Sequence, residues 1–433
     1  MSDEPHERLR LGVVTARPFR HAFVAQSLVE LADQVFLVAF VWALLGAGDS
    51  LQLGLVLTAW AAPRGVFLLL GGVFVDRADS RLLAAGAGAA LAALNVLLVV
   101  LLELDATPLA AWLALALALG VLDGIRLPIG YSLIPLVVPE RDILAANRWS
   151  QLRLWATLTL GPPLGGLLTA LLGVQATFVV VALLYVVAGA AMLRLPSLRV
   201  EREATRLRND LRDGLRFVTR HPVLRLILPV FAVANLFVLG LIAVAIPSLV
   251  KVVLDGGAQG LGLVSGAFGL GLVVGTISMS RFPAWTRESL SGLFCLFALS
   301  DGALACVGLV GSVPAAAAAF AISGFFIGPA STLYQAMLQT ITPPEYLGRV
   351  VGLARGISFG LEPASGSLVG IATSALSAGT VLVAGGLAAT LADVFAVVRG
   401  RGRGRAVAPH AREARREQGE PGRAQDAVGA ARP

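Results

Sequence analysis

Basic residues in this chain occupy every other gap between long apolar segments, and that alternation constrains the fold more than any single motif does. Of the 34 Lys and Arg, 29 lie in the N-terminal stretch, in five alternate connections or in the C-terminal tail. The intervening connections, around 47–51, 103–108, 172–175, 311–313 and 373–379, contain none, and Lys251 borders the remaining one near Asp255. Short loops on the cytoplasmic side of a bilayer carry the excess of Lys and Arg. The basic connections and both termini are therefore expected on the cytoplasmic side, with an even number of crossings between them.

A chain that is 57% hydrophobic and 14% charged holds more apolar surface than one soluble core can hide, so the bilayer must be its solvent. Apolar runs read against Gly, Pro and charge breaks predict an all-α membrane protein with twelve transmembrane helices. The expected spans are 20–46, 53–75, 82–102, 109–138, 148–172, 177–195, 224–253, 261–280, 290–310, 314–339, 350–374 and 380–398. The first follows a charged stretch and is too long for the core of a signal peptide, so it reads as a span.

The longest interior polar stretch divides these spans six and six. An N-terminal six-helix bundle is expected over 1–195, a cytoplasmic linker over 196–222, a C-terminal six-helix bundle over 223–398 and a disordered basic tail over 399–433. In the linker Asn209 can cap a short helix with Leu211, Leu215 and Val218 on one face and Arg212, Arg216 and Arg220 on the other, suited to lying on the membrane surface. Val138-Pro139-Glu140 after the fourth span is echoed by Pro343-Pro344-Glu345 after the tenth, as two related halves would require.

Several function classes find no support. Cys295 and Cys306 are about 16 Å apart along one helix at 1.5 Å per residue, too far to bridge. The four His residues have no ligand-like spacing, so no metal or other cofactor is expected. No zinc-protease HExxH helix, phosphate-binding loop or Gly-x-Ser-x-Gly elbow occurs, and an enzyme is not expected. The formal charge of +7 falls in the cytoplasmic segments, where anionic lipid headgroups explain it better than nucleic acid does.

Where the second span meets the basic side the chain reads Gly71-Gly72-Val73-Phe74-Val75-Asp76-Arg77-Ala78-Asp79-Ser80-Arg81. A small residue here lets two helices approach, Asp76 can meet a helix N-terminus, and Arg77 and Arg81 can bridge to acidic groups, which is the physics of a conformational latch. The segment resembles the G-x-x-x-D-R-x-x-x-R signature of the major facilitator superfamily, with Asp79 where that family usually has Gly. Span five contains Gly161-Pro162-Pro163-Leu164-Gly165-Gly166, a kinked surface open to close helix approach. It resembles the end of that superfamily's exporter-associated motif, whose upstream glycines are here Arg148 and Thr157. Pro63, the stretch 215–225 (LRFVTRHPVLR) and the stretch 345–350 (EYLGRV) are similar to the branch of enterobactin and macrolide exporters. That resemblance implies export of amphiphilic small molecules, usually driven by inward proton flow.

Counted from the basic ends at 1.5 Å per residue, Asp33, Arg64 and Arg126 share a depth of about 20 Å, with Asp123 one turn from Arg126 and Glu362 equally deep. Ionisable groups there must face a cavity or one another. Asp33 is expected to carry the proton, with Arg64 or Arg126 as its partner, Asp123 as a further proton-coupling candidate and Glu362 as a second carrier or substrate contact. Asp33 also fits the acidic residue that such exporters often carry in span one. The run 122–130 partly fits the superfamily's span-four L-x-x-x-R-x-x-Q-G motif, with Ile129 in place of its polar residue. Asp301, near the middle of span nine, reads as a structural ion-pair member. Trp60, Trp155, Phe237, Phe325 and Phe359 could line a substrate cavity. Two other readings remain open, a lysophospholipid flipper whose headgroup site would be Arg64 and Arg126, and a sensor or scaffold that keeps the fold without transport. The preference for Arg over Lys and the abundance of Ala and Gly point to a high-GC bacterium, and hence to its inner membrane.

Overall fold

The computed structural model of the chain describes residues 16–77, 79–139, 142–195, 207–283, 286 and 289–400. The described residues are helical apart from short turns, and none forms a strand. Backbone N–H and C=O groups in hydrocarbon must be bonded within their own segment, and a helix does this for each run separately. The twelve long helices are α1 (Arg17–Ala47), α2 (Ser50–Arg77), α3 (Ser80–Glu103), α4 (Leu109–Ser132), α5 (Ile143–Leu172), α6 (Val174–Leu193), α7 (Leu224–Gly240), α8 (Gly257–Ile277), α9 (Leu290–Val307), α10 (Val313–Ile341), α11 (Pro344–Ala375) and α12 (Ala378–Gly400). A linker helix (Leu207–Arg220) precedes α7. Asp79 and Ser289 cap α3 and α9 by accepting from the N–H groups of Arg81 and Gly292. Gly173, at φ +85°, makes the tight reversal from α5 to α6 in a conformation that side chains resist.

Eleven of these helices are long and apolar enough to cross a membrane. The exception is α11, expected as a span over 350–374, which contains Arg349, Arg355 and Glu362 among many Gly and Ser. Its length matches its neighbours, and it is covered by α2, α7 and the linker helix. The seventh span is not a plain α-helix. After Gly240 it passes through a π-helical stretch (Leu241–Ala245), a short α-helical one (Ile246–Ser248) and a second π-helical one (Leu249–Val253). Pro247 has no N–H to donate, and a wider turn before it accommodates the missing bond. Span four ends early, at Ser132, with a separate helical turn at Ile134–Val137 that begins beside Pro135.

The packing repeats. In the first half α2 packs on α4, α3 on α6, and α1 on α5 and α6. In the second half α8 packs on α10, α9 on α12, and α7 on α11 and α12, the same pairs with six added to each number. The main contacts between halves are α5 with α8 and α2 with α11, a pair of pairs that the same shift exchanges.

The linker differs from the expectation in two ways. Asn209 lies inside the helix, not at its cap. Val218 is buried against Val223, Leu224 and Val350, while Leu215 remains exposed. Phe217 stacks on Tyr346 of α11 at 4.7 Å, so the helix is moored to α11 through its C-terminal turn.

The helix ends near Arg17, Arg81, Arg194, Arg225 and Arg399 define a basic face, and the ends near Ser50, Asp105, Gly173 and Ser377 the opposite face. The halves meet closely toward the opposite face. Ser50 Oγ is 2.8 Å from Ser248 Oγ, and Gly54 and Gly370 are in backbone contact. Toward the basic face, a Cβ on Gly352, Gly356 or Gly360 of α11 would meet no described atom within 4 Å. The close contacts described between the halves thus gather toward one end, and this side of α11 faces open space at the other.

Candidate functional site

Between the halves lies a cavity of about 300 Å³, at the lower end of the size that small-molecule sites occupy. Helices α1, α2, α5, α7, α8, α10 and α11 all contribute to it. Its wall is mainly aliphatic and aromatic, with Trp60, Phe268 and Phe320 as the rings and Gln34, Arg64, Ser265 and Glu362 as the principal polar groups. Of the aromatics singled out from sequence, Trp60 alone is in the wall. Phe359 instead lies beneath the Arg64 guanidinium, 5.4 Å from it, and Phe325 packs on Phe282 and Phe326. Phe268 and Phe320, stacked at 4.4 Å, carry no sequence signal that separates them from core residues.

Two groups of charges sit at this level. Arg64 of α2 is ion-paired with Glu362 of α11, joining the halves across the cavity wall. Beside it, the Thr58 hydroxyl lies 2.8 Å from the Pro363 carbonyl and 2.7 Å from Ser367 Oγ. Arg64 therefore belongs to Glu362 and not to Asp33.

The second group lies within the first half. Arg126 Nη2 donates to Asp33 Oδ2 at 2.8 Å and to Asp123 Oδ1 at 3.1 Å. Tyr185 of α6 donates its hydroxyl to Asp33 Oδ1 at 2.7 Å, and Trp60 of α2 donates its indole N–H to Asp123 Oδ2 at 2.9 Å. Four helices thus meet on two carboxyls and one guanidinium. With both acids ionised the group carries one negative charge in excess, which a partly buried site among apolar helices disfavours. A single proton on either acid makes it neutral. Trp60 belongs to both the network and the cavity wall, so a molecule bound in the cavity touches a donor to Asp123.

Sequence reasoning missed Tyr185 and a further pair on the same helix as Asp33. Glu30 accepts from Arg153 of α5 at 2.8 Å and from the Thr157 hydroxyl at 3.2 Å. An acid inside the first apolar run and a base inside the fifth were the available signal. Asp301 was read as half of an ion pair, and the structure corrects this: its neighbour is another acid, Asp393 of α12.

The glycines of α5 lie where helices touch. A Cβ on Gly161 or Gly165 would collide with Gln34 or Val35 of α1, and one on Gly166 with the Ala258 carbonyl at the start of α8. From the other side Gly262 approaches the Pro162 carbonyl and Gly266 the Pro163 ring. The packing motif thus fastens α5 both to its own half and to the other.

Over residues 22–367 the sequence matches the family model described as Major Facilitator Superfamily. The chain belongs to that superfamily. It is 28% identical over 382 residues to the Multidrug efflux pump Tap of Mycolicibacterium fortuitum, a match covering 84% of this chain and 91% of the relative. Its fold is similar to that of a POT family transporter in complex with 5-aminolevulinic acid, with a TM-score of 0.69 at 12% identity over 89% of this chain and 96% of the other. The nucleoside transporter NupG gives a TM-score of 0.67 at 13% identity, over 89% and 99%. Likeness at such identity is one of fold.

As a superfamily member the chain is a multi-pass membrane transporter, and its signature segment falls between α2 and α3. Gly72, Asp76 and Arg77 form the last turns of α2, and their side chains lie outside the described residues. Arg81 is described: its guanidinium donates to the Leu195 carbonyl at 3.0 Å, tying the start of α3 to the end of the first half, and lies 3.4 Å from Asp79. Asp79, in place of the usual Gly, needs no special backbone freedom here, since its φ is −66°.

Proposed function

We propose that this superfamily member is a proton-coupled antiporter that exports amphiphilic small molecules from the cytoplasm of a bacterium across its inner membrane. Twelve spans form two six-helix bundles, 1–195 and 223–398, with both termini cytoplasmic, and these rock about the central cavity. The repeated pairing of helices and the two exchangeable contacts between halves support the division. The basic face is then the cytoplasmic one, and the open space beside α11 there suits uptake of substrate from the cytoplasm or inner leaflet.

One observation carries the coupling: the cavity wall and the two-acid, one-arginine network share Trp60. A proton arriving on Asp33 neutralises the network and weakens the hold of Arg126 on α1. Substrate seated against Trp60 holds its indole N–H on Asp123, which stabilises the ionised carboxylate and so favours release of the proton. Proton and substrate thereby bias the same four-helix joint in opposite senses, as exchange requires. The apolar walls, with Arg64 and Glu362 at one side, suit a molecule with a large apolar body and a polar or charged end. The efflux-pump relative supports the outward direction.

The test uses energised inverted vesicles containing wild-type protein or the Asp33→Asn variant, with luminal pH followed by dye dequenching as antibiotics, siderophores and lysophospholipids are added singly. Dequenching by one compound, absent in Asp33→Asn, is the expected result. Undiminished uphill transport by the variant would remove Asp33 from the mechanism. Movement of lysophospholipid without proton flux would replace antiport by lipid flipping.

A further inference from the structure

Asp301 of α9 and Asp393 of α12 are 4% and 1% exposed, and their side chains lie within hydrogen-bonding reach of each other. They line a second cavity, of about 60 Å³, that shares no residue with the first. Helices α7, α9, α10 and α12 enclose it, contributing Asn235, Asp301, Tyr334 and Asp393 as its polar groups. Two of those groups lack partners. Asp393 Oδ2 and the Tyr334 hydroxyl, on residues 1% and 8% exposed, have no hydrogen-bond partner among the described residues. A volume of this size holds a few waters where polar groups receive them.

Among the described residues no cation is in reach of the pair. Between Val313 and Ile341, α10 contains no Lys, Arg, Asp or Glu. On the seventh span, Arg225 stands at the very start of α7 and Lys251, in the second π-helical stretch, lies over the Trp42 ring at the far end. Arg399 of α12 stacks on Phe395, about 9 Å along the helix from Asp393. Glu362 of α11 is taken by Arg64. The cysteines of α9 are not in the cavity wall, so Tyr334 is the other titratable group that faces the acids. Two carboxylates side by side in such a medium cannot both stay ionised. Among the described residues no group of three His, Cys, Asp or Glu could hold a metal ion.

We propose that Asp301 and Asp393 form a second proton-binding site, which takes one proton from the basic face and holds it between the two carboxyls, apart from the transport cavity. The route is short. Asp393 is about 10 Å along α12 from its basic end, and Ile227 and Leu293 of the cavity wall belong to the first turns of α7 and α9 on that face. On uptake, one carboxylate becomes a carboxylic acid that donates to the other, joining α9 to α12. On release, two like charges repel across the same contact. The site requires nothing of Asp33 and stands whether or not transport is proton-coupled.

The test is infrared absorption of protonated carboxyl groups in the full-length protein in lipid nanodiscs, stepped from about pH 5 to about pH 9. A band that titrates within that range is expected, absent from Asp301→Asn and from Asp393→Asn, retained in Asp33→Asn, and equal in sodium and choline buffers. Carbon-13 labelling of aspartate in the wild type should shift the same band, which identifies it as an aspartyl carboxyl and not a glutamyl one even where a variant fails to fold. A band constant over the whole range, one indifferent to both substitutions, or one lost on adding sodium would each overturn the proposal, the last in favour of a metal cation.

Discussion

Counting along the apolar runs offers Asp33 to both Arg64 and Arg126. The choice between them is made by which helices touch. Helix α2 packs on α11, so Arg64 meets Glu362, while Arg126 turns inward to Asp33 and its own neighbour Asp123. Removing one member of a largely buried pair strands the other, whereas replacing both by neutral groups does not. Arg64→Met and Glu362→Gln should therefore each lower the melting temperature of the purified protein, and the double variant should recover part of the loss. A coupling of about 1 kcal/mol is expected from such a cycle. Strictly additive losses would mean that the pair contributes nothing as a pair. That these charges fall inside apolar runs was legible from the sequence alone. Tyr185 was not, because a phenol inside an apolar run has no spacing that distinguishes a hydrogen-bond donor from a packing residue. Asp393 was visible as an acid within an apolar run, but its meaning comes from Asp301 on a helix far away in sequence.

At the level of helices, small residues decide which pairs can touch. Gly166 and Gly262 sit at the α5 and α8 crossing with carbonyl oxygens where a side chain would begin, whereas Gly86 of α3 has open space around it. Gly166→Ala and Gly262→Ala should each destabilise the protein by about 1–3 kcal/mol, the usual cost of overfilling a close contact. Gly86→Ala should leave stability unchanged or slightly raised, since alanine is the better helix former. Thermal unfolding of the three variants in detergent decides it, and equal behaviour would show that the crossing yields without strain. The same helices show what patterning can and cannot reveal. Long apolar runs located the long helices to within a few residues at most ends. They did not reveal the π-helical turns around Pro247, which depend on how α7 meets its neighbours, nor the mooring of the linker helix, where Phe217 meets Tyr346 from another part of the chain. The polar character of α11 has a reason that tertiary structure supplies: Glu362 is partnered by Arg64 of α2, and Gly366 and Gly370 let α2 approach closely.

For the molecule as a whole, the question is whether the seated end must open for work to be done. Ser50 begins α2 and Ser248 lies near the end of the seventh span, on opposite halves, with their hydroxyl oxygens 2.8 Å apart at the closed end. Cysteines at these two positions would have their sulfur atoms close enough to form a disulfide with little backbone movement. In a background with Cys295 and Cys306 replaced by Ser, the Ser50→Cys/Ser248→Cys variant should transport normally when reduced. Oxidation should then stop substrate flux while leaving substrate binding in the cavity intact, because the cavity is already formed with the far end shut. Reduction should restore flux, which separates a lock from damage. Flux that continues at full rate through the oxidised protein would mean that the halves need not part at this contact, and the rocking of two bundles about the cavity would have to give way to motion of single helices within them.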